Sequence, residues 1–239
     1  MELDGQRILI MGGSSGIGLA AARMLTEAGA EVTITGRNQE KINAALSQLG
    51  KGAYGRSIDA TAISELQSFF KEYGAFDHLV ISVSGAAGSG AFHSLNLQDL
   101  RHGFEAKFWP QVSIAQLSLE TICNTGSITF ITAGSSRKAR PGTAGLAAIN
   151  GALDAMIPTL AVELRPLRVN AVSPGVIATP WWDRVGEEFR NNIFAQAAEN
   201  APARRIGQPE DVAQAISFLI QNTFVTGSII DCDGGARLC

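Results

Sequence analysis

The sequence contains few residues of several types that mark particular functions. Charged residues make up 17% of its 239 positions and the net charge is −3, which indicates no basic surface for nucleic acid. The three cysteines, Cys123, Cys232 and Cys239, are widely spaced and odd in number, so a disulfide framework or a zinc site is not expected. The three histidines do not stand at metal-ligand spacing, and no metal is predicted.

Long apolar segments are also absent. No uninterrupted apolar run reaches the roughly 20 residues that are needed to cross a bilayer. Residues 1–7 do not combine a basic segment with a long apolar one, as a signal peptide would. Hydrophobic residues nevertheless make up 46% of the chain, which is enough for a substantial core. We therefore expect a folded, cytoplasmic protein that binds neither membranes nor nucleic acid.

Short β-rich runs alternate with longer amphipathic stretches along the whole chain. This alternation predicts a parallel sheet with helices on both faces. Continuous apolar runs such as RILIM and HLVISV are typical of strands that are buried on both sides. Residues 1–239 are therefore predicted to form one α/β domain, a doubly wound Rossmann fold with a seven-stranded parallel sheet. The predicted strands cover residues 8–11, 32–35, 53–57, 78–83, 127–132, 168–172 and 228–231.

Two long predicted helices contain an internal proline. They cover residues 97–122 and 143–164, and they include Pro110 and Pro158. A proline removes one backbone donor and clashes with the preceding turn, at a cost of about 3 kcal/mol. A kink or break is therefore predicted near each proline.

The first predicted strand runs into the glycine-rich segment MGGSSGIG at residues 11–18, which opens a predicted helix. Glycines allow a tight turn and let the backbone come close to a pyrophosphate, and the helix N-terminus offers free amides to that anion. Because the segment stands between a first strand and a helix, it indicates a dinucleotide site.

The end of the second predicted strand bears on the choice of cofactor. A site for NAD places a carboxylate there to bind the ribose 2′-hydroxyl, whereas residues 35–38 of this chain read TGRN. Arg37 can pair with a 2′-phosphate, and Ser14 or Ser15 can donate to the same group. NADP(H) is therefore predicted in preference to NAD(H), with a solvated surface arginine as the alternative.

These motifs, and several later ones in the same order, resemble the short-chain dehydrogenase/reductase family over essentially the whole chain. The later segments are Asp59-Ala60-Thr61, LAVEL at 160–164, RVNAVSPG at 168–175, Thr179-Pro180, RIGQPEDV at 205–212 and DCDGG at 231–235. The resemblance implies hydride transfer between a nicotinamide and a carbonyl or alcohol carbon. It also implies a homodimer or homotetramer, and a substrate lid at about residues 179–204. The cofactor contacts predicted on both grounds are Gly12, Ser14, Ser15, Gly16, Ile17, Gly18, Arg37, Asn38, Asp59, Ala60, Val83, Ser84, Asn150, Pro174, Gly175, Ile177 and Thr179.

The catalytic tetrad of that family is not matched. At the positions of its asparagine, serine, tyrosine and lysine this chain has Lys107, Ala133, Leu146 and Asn150. The two tyrosines, Tyr54 and Tyr73, lie too early in the sequence to supply the missing proton donor. General acid–base help is worth about 10²–10⁴-fold in rate, so ordinary carbonyl reduction by this chain should be slow.

Several residues are candidates to replace the tetrad. Lys107 returns an ammonium group to the cleft, and a desolvated lysine can act as an acid or a base. Ser84 and Thr132 are weaker candidates, since a hydroxyl can bind a substrate oxygen, and Ser135 and Ser136 follow close behind. Each candidate has an ordinary alternative as a packing or loop residue.

Two groups of residues suggest what the substrate is like. Arg137, Lys138 and Arg140 follow the fifth strand and suggest an anionic substrate, with a solvated basic loop as the alternative. The lid segment carries four aromatic residues that either wall an apolar pocket or pack the lid on the body, namely Trp181, Trp182, Phe189 and Phe194. Three functions stay open: an NADP(H)-dependent oxidoreductase with a non-standard active site, an NADP(H)-binding pseudoenzyme, and a non-redox enzyme that uses the same cleft.

Overall fold

The computed structural model describes residues 3–239 and contains, within them, one seven-stranded sheet. The strands are β1 (Arg7–Met11), β2 (Glu31–Gly36), β3 (Ala53–Ser57), β4 (Phe76–Ile81), β5 (Ile122–Ile131), β6 (Arg168–Pro174) and β7 (Ile229–Cys232). Their order across the sheet is β3-β2-β1-β4-β5-β6-β7, and every neighbouring pair is parallel. The predicted doubly wound α/β fold is confirmed.

Helices cover both faces of this sheet. They are α1 (Gly16–Glu27), α2 (Gln39–Leu49), α3 (Ile63–Tyr73), α4 (Leu97–Gly103), α5 (Trp109–Ser118), α6 (Ala144–Glu163), α7 (Glu187–Asn200) and α8 (Pro209–Gln221). Successive side chains of a strand point to opposite faces, so Ile8 and Ile10 of β1 join the core cluster of α1, α2 and α8. Leu9 and Met11 join the second cluster, with α3, α5 and α6.

The helix predicted over residues 97–122 is shorter and less regular than expected. Between α4 and α5 lies a π-helical turn (Phe104–Phe108), which ends just before Pro110, near the start of α5. A wide turn of this kind accommodates the missing donor of a proline without ending the helix. The C-terminal limit was wrong, because residues from Ile122 onward belong to β5 and pair with β4.

Near Pro158, where a kink or break was predicted, the helix is not broken. Helix α6 continues through this proline, and Ile157 and Ala161 on its inner face are buried against the sheet. Among the described residues α6 is the one helix long and apolar enough to span a membrane by length and composition, with 20 residues and a mean hydropathy of 1.4. The core helix of a soluble protein passes the same test, so this is weak evidence for a membrane span. Asn150 and Asp154 interrupt the apolar sequence of this helix.

The sheet brings the ends of its strands to one edge. All strands are parallel, so the segments that follow β1 to β6 emerge at the carboxyl edge. The chain moves outward from β1 in one direction to β2 and β3, and in the other to β4, β5 and β6. Ligands of such sheets bind in the crevice at this reversal of strand order, which here lies between β1 and β4.

Candidate cofactor and active site

The turn between β1 and α1 has glycine where the backbone is most crowded. Gly12 has φ +91°, and a Cβ on it would lie 2.9 Å from the carbonyl group of Ser82. A Cβ on Gly18 would lie 2.2 Å from the carbonyl oxygen of Gly12. Gly16 begins α1 with φ +54°. The turn therefore excludes side chains, and the free amides of the helix N-terminus remain available to a pyrophosphate.

The two serines of this turn differ in their surroundings. Ser15 is the exposed N-cap residue of α1, and its side chain makes no capping hydrogen bond. Ser14 lies against the end of β2, where a Cβ on Gly36 would come within 2.8 Å of its Oγ. Ser14 thus stands beside the residue that precedes Arg37, and Ile17 is half-buried behind the turn.

Arg37 is exposed at the end of β2 and, within residues 3–239, forms no ion pair. Its backbone carbonyl accepts a hydrogen bond from Ser57 Oγ at 3.2 Å, which fixes the backbone from which the side chain extends. Because the guanidinium has no ion-pair partner in the described part of the chain, it can bind an anionic group beside Ser14.

Asn38 and Asp59, two other predicted contacts, are partly engaged by their own chain. Asn38 caps α2, with its Oδ1 accepting a hydrogen bond from the amide of Lys41 at 2.9 Å. Asp59 Oδ1 accepts hydrogen bonds from the amide and hydroxyl of Thr61, and these bonds, together with the nearby charge of Arg37, lower the pKa of Asp59. In both residues Oδ1 is used within the chain, which leaves Asn38 Nδ2 and Asp59 Oδ2 for a ligand. Ala60, another predicted contact, follows Asp59 directly.

The loop after β6 returns to the glycine turn. A Cβ on Gly16 would meet the side chain of Thr179 at 3.2 Å, so Thr179 stands over the start of α1. Gly175 is packed so closely that a Cβ would lie 2.9 Å from Asp233 Cα. Ile177 is 5% exposed and belongs to the core, which leaves its backbone, rather than its side chain, for a cofactor. The loop that begins at Pro174 is thus brought against the same crevice.

A family model described as enoyl-(acyl carrier protein) reductase matches residues 12–237. The chain belongs to the short-chain dehydrogenase/reductase family. A member from Stachybotrys chlorohalonatus is 34% identical over 256 residues, covering 99% of this chain and 98% of that protein. Members of this family are oxidoreductases.

Solved structures of this family superpose on the whole chain. A small-chain dehydrogenase in complex with NADPH has a TM-score of 0.86 at 32% identity and covers 99% of this chain and 100% of its own. The MalC reductase/Diels-Alderase from Malbranchea aurantiaca has a TM-score of 0.89 at 25% identity and covers 99% and 97%. The similarity to the first structure supports a nicotinamide cofactor in this short-chain dehydrogenase.

The positions aligned with the family's tetrad lie together at the carboxyl edge. Ala133 follows β5, Leu146 and Asn150 lie one turn apart on α6, and Lys107 lies in the π-helical turn. Asn150 is 3% exposed, and its Nδ2 donates to Ser135 Oγ at 3.1 Å and to the carbonyl oxygen of Leu146 at 2.9 Å. The side chains of Ala133, Leu146 and Asn150 cannot donate a proton as a general acid near neutral pH.

Lys107 is the one ionisable group among these four. It is 8% exposed, and its Nζ donates to the carbonyl oxygen of Thr132 at 3.0 Å. Burial lowers the pKa of Lys107 to about 8, and the charge of Asp154 opposes this shift. Thr132 is itself buried with its hydroxyl directed at the carbonyl oxygen of Val172, so it is poorly placed to bind a substrate.

One residue of this region was missed by the sequence argument. Asp154 lies on α6 one turn after Asn150, and its Oδ2 accepts a hydrogen bond from Ser136 Oγ at 2.6 Å. The signal was a carboxylate in the middle of an otherwise apolar helix, four residues after Asn150. The other weak candidate, Ser84, turns its hydroxyl to the carbonyl oxygen of Gly85 at 3.3 Å, and Val83 precedes it.

The basic cluster after β5 is largely tied to the C-terminal segment. Arg137 pairs with Asp231 through two hydrogen bonds of 3.0 and 3.1 Å, and Lys138 Nζ donates to the carbonyl oxygen of Ala236. Arg140 is exposed and has no acidic partner within the described residues. A cleft of about 620 Å³ lies between this loop and Phe92. Of the three cations, Arg140 is therefore the one that remains open to a ligand.

The structure gives contacts for three of the four aromatic residues in the segment predicted as a lid. Trp182 packs edge-on against Phe194 of α7, and its Nε1 donates to the carbonyl oxygen of Ile177, so both contacts stay within the segment that follows β6. Trp181 reaches across the carboxyl edge, where its Nε1 donates to the carbonyl oxygen of Gly85 at 3.2 Å. Phe189 is 58% exposed.

The two tyrosines are far from this arrangement in the fold. Tyr54 is an exposed residue of β3, at the far edge of the sheet. Tyr73 ends α3 and packs against Phe69 and Phe76. Neither is on an element that borders the crevice between β1, β4 and α6.

Proposed function

We propose that this chain is an NADP(H)-dependent reductase of carbonyl compounds whose active site works without the tyrosine and lysine of its family. The observation that carries the proposal is Arg37, an unpaired guanidinium beside Ser14 at the end of β2, where a carboxylate would stand in an NAD site. The glycine turn supports it, because its crowded backbone fits a pyrophosphate. The relative solved in complex with NADPH supports the same cofactor.

The residues that would hold the cofactor follow from this arrangement. Gly12, Gly16 and Gly18 make room for the pyrophosphate, and Arg37 with Ser14 takes the 2′-phosphate. Asp59 receives the adenine, and the loop from Pro174 to Thr179 takes the nicotinamide. The bound nicotinamide supplies the hydride, and the protein has to orient the carbonyl carbon and provide a proton.

A second candidate is an NADP(H)-binding protein without redox turnover, or a non-redox enzyme in the same cleft. Ala133, Leu146 and Asn150 favour it, because they leave the usual carbonyl-binding and proton-donating positions empty of acids. The Malbranchea relative is described as a reductase and a Diels-Alderase. Consumption of NADPH by a carbonyl compound selects the reductase, and binding without consumption selects this candidate.

The test compares NADPH and NADH binding by fluorescence in the wild type and in Arg37→Ala. Charge-assisted hydrogen bonds of a guanidinium are worth about 2 kcal/mol, so we expect NADPH affinity to fall roughly 10- to 100-fold. NADH affinity should change by less than about twofold. Arg56→Ala, which removes an exposed arginine of β3, is the matched control. Equal loss of both cofactors in Arg37→Ala would contradict the assignment.

We also propose that the protein forms a homodimer or homotetramer through α5 and α6. Trp109 is 51% exposed and Val162 is 64% exposed on the outer faces of these helices. A smaller cleft of about 280 Å³ lies beside Trp109. Burial of these side chains against a second copy would remove apolar surface from water. Sedimentation that shows a monomer at micromolar concentration would contradict this.

A further inference from the structure

The π-helical turn places Lys107 in a buried position, where a charged side chain lowers the stability of the fold. The side chain is almost fully buried, and its ammonium group makes one hydrogen bond, to Thr132, although it has three donors. It forms no salt bridge within residues 3–239. A buried charge with so few partners is destabilising, and π-helical turns occur often at functional sites.

Two acceptors on α6, which packs against this turn, are also unmatched. Asn150 uses its Nδ2 in hydrogen bonds, but its Oδ1 is buried without a partner. Asp154 uses its Oδ2 to accept from Ser136, but its Oδ1 is buried without a partner. Asp154 is close enough for its charge to act on Lys107, and α6 packs against the π-helical turn, so the spare donors and the spare acceptors belong to neighbouring elements. Unmatched buried polar groups of this kind indicate ordered water between them or a catalytic role.

The remaining tetrad positions supply no acid. Ala133 and Leu146 have apolar side chains, and an amide such as Asn150 does not release a proton near neutral pH. The hydride brings two electrons to the carbonyl carbon, and the oxygen that gains the former π pair then needs one proton. Among the side chains at the four positions, only that of Lys107 can give it.

We propose that Lys107 is the proton source for the reduction and acts through ordered water that is held by Asn150 and Asp154. The inference rests on the proposed function. When hydride from the reduced nicotinamide reaches the carbonyl carbon, the water gives a proton to the oxygen and takes one from the ammonium group of Lys107. The products are the alcohol, the oxidised nicotinamide and a neutral Lys107 amine, which regains its proton from solvent.

The charges around Lys107 set the direction of the pH dependence. Burial lowers its pKa to about 8, while Asp154 on α6 favours the ammonium form. The charge of Asp154 also acts on Arg137 and favours its charged form. The strand ends that face Lys107, at residues 82–85 and 132–136, carry no acidic or basic side chain. Reduction should therefore be fastest below about pH 8 and slow as the ammonium group is lost above it.

The experiment measures single-turnover oxidation of bound NADPH by 4-nitrobenzaldehyde between pH 6 and 10. Lys107→Met should lower the rate at least about 100-fold at pH 7 and remove the fall above pH 8. Lys107→Arg should be as slow as Lys107→Met, because a guanidinium keeps the charge but does not release its proton. Asp154→Asn should move the midpoint of the wild-type profile to lower pH. Lys71→Met, an exposed lysine of α3, is the matched control.

Several results would overturn the proposal. One is that Lys107→Met keeps the rate and the pH profile of the wild type, and another is that Lys107→Arg keeps the wild-type rate. A third is that the wild type binds NADPH but 4-nitrobenzaldehyde does not oxidise it. Absence of NADPH binding would instead contradict the proposed function itself. If Lys107→Met does not fold, the midpoint shift in Asp154→Asn decides, and an unchanged midpoint counts against the proposal.

Discussion

The two sides of the crevice differ in how closely they follow the family. The side built by β1, β2 and β3 retains the glycine turn, the exposed Arg37 and the carboxylate of Asp59. The side built by β4, β5 and α6 has a buried lysine and an amide where the family has its acids and bases. Under the proposed function, dinucleotide binding and proton transfer depend on separate elements of the fold, so that one can change while the other is kept.

A change in the glycine turn should have the largest effect on the cofactor side of the crevice. Gly18→Ala places a Cβ against the carbonyl oxygen of Gly12, and backbone cannot move away as a side chain can. We expect unfolding free energy to fall by about 3 kcal/mol. NADPH affinity should fall roughly 100-fold. Gly186→Ala is the matched control, since a Cβ there meets nothing within 4 Å and its φ is −61°. Wild-type NADPH binding by Gly18→Ala in fluorescence titration would contradict the assignment.

A buried histidine far from the crevice separates effects of pH on stability from those on turnover. Burial, with a smaller effect of Arg168, lowers the pKa of His78 to about 4. Between about pH 6.5 and 4 the unfolded chain binds this proton and the folded chain does not, so stability falls as the pH falls. The loss should reach roughly 3 kcal/mol. Urea unfolding at pH 7 and pH 4.5 checks this.

His78→Gln is the control for that measurement. A neutral amide can still meet Ser127 and Gln6, the two hydrogen-bond partners of the imidazole. The variant should lose most of the difference in stability between the two pH values. If it shows the same acid destabilisation as the wild type, the burial of His78 is not the cause of that destabilisation.

The lid connects the two sides, and its two tryptophans offer a matched pair of changes. Trp181→Phe removes the hydrogen bond to Gly85 that crosses the carboxyl edge. One such bond is worth about 1 kcal/mol, so NADPH should dissociate roughly fivefold faster in stopped-flow measurements. Trp182→Phe loses a bond within the loop itself and should change the rate less. Equal rates in both variants would show that the crossing bond does not retain the cofactor.

The smallest expected effect concerns the rim of the substrate side. Arg140→Ala removes the cation of the β5–α6 loop that has no acidic partner in residues 3–239. Exposed ion pairs are worth up to about 1 kcal/mol, so KM for 4-carboxybenzaldehyde should rise about threefold. KM for neutral 4-nitrobenzaldehyde should not change. Equal shifts for both compounds would argue against an anionic substrate.

Local signals explain what the sequence predicted well. The glycine turn and its helix are contiguous, and β3 begins and ends where its residue pattern predicts. Burial on both faces makes β1 a continuous apolar run, which a reading of the sequence detects easily.

Contacts between distant residues explain what the sequence did not predict. The pair between Arg137 and Asp231 joins residues 94 positions apart, so the basic loop looked free in the sequence. The π-helical turn packs against the distant helix α6. The start of β5, before the predicted limit at residue 127, is defined by the pairing of Ile122 with Phe76 of β4. Helix α8 was not predicted, although Gln208 and Asp211 form a capping box at its N-terminus.

The separation of the two sides is tested most directly by NADPH titration of the wild type, Gly18→Ala and Lys107→Met, followed by fluorescence. The account predicts that Gly18→Ala loses binding. It predicts that Lys107→Met binds NADPH within about twofold of the wild type, because Lys107 lies in the π-helical turn and contacts Thr132, away from the glycine turn. Loss of binding in both variants, or in neither, would contradict the division between a cofactor side and a proton-donating side.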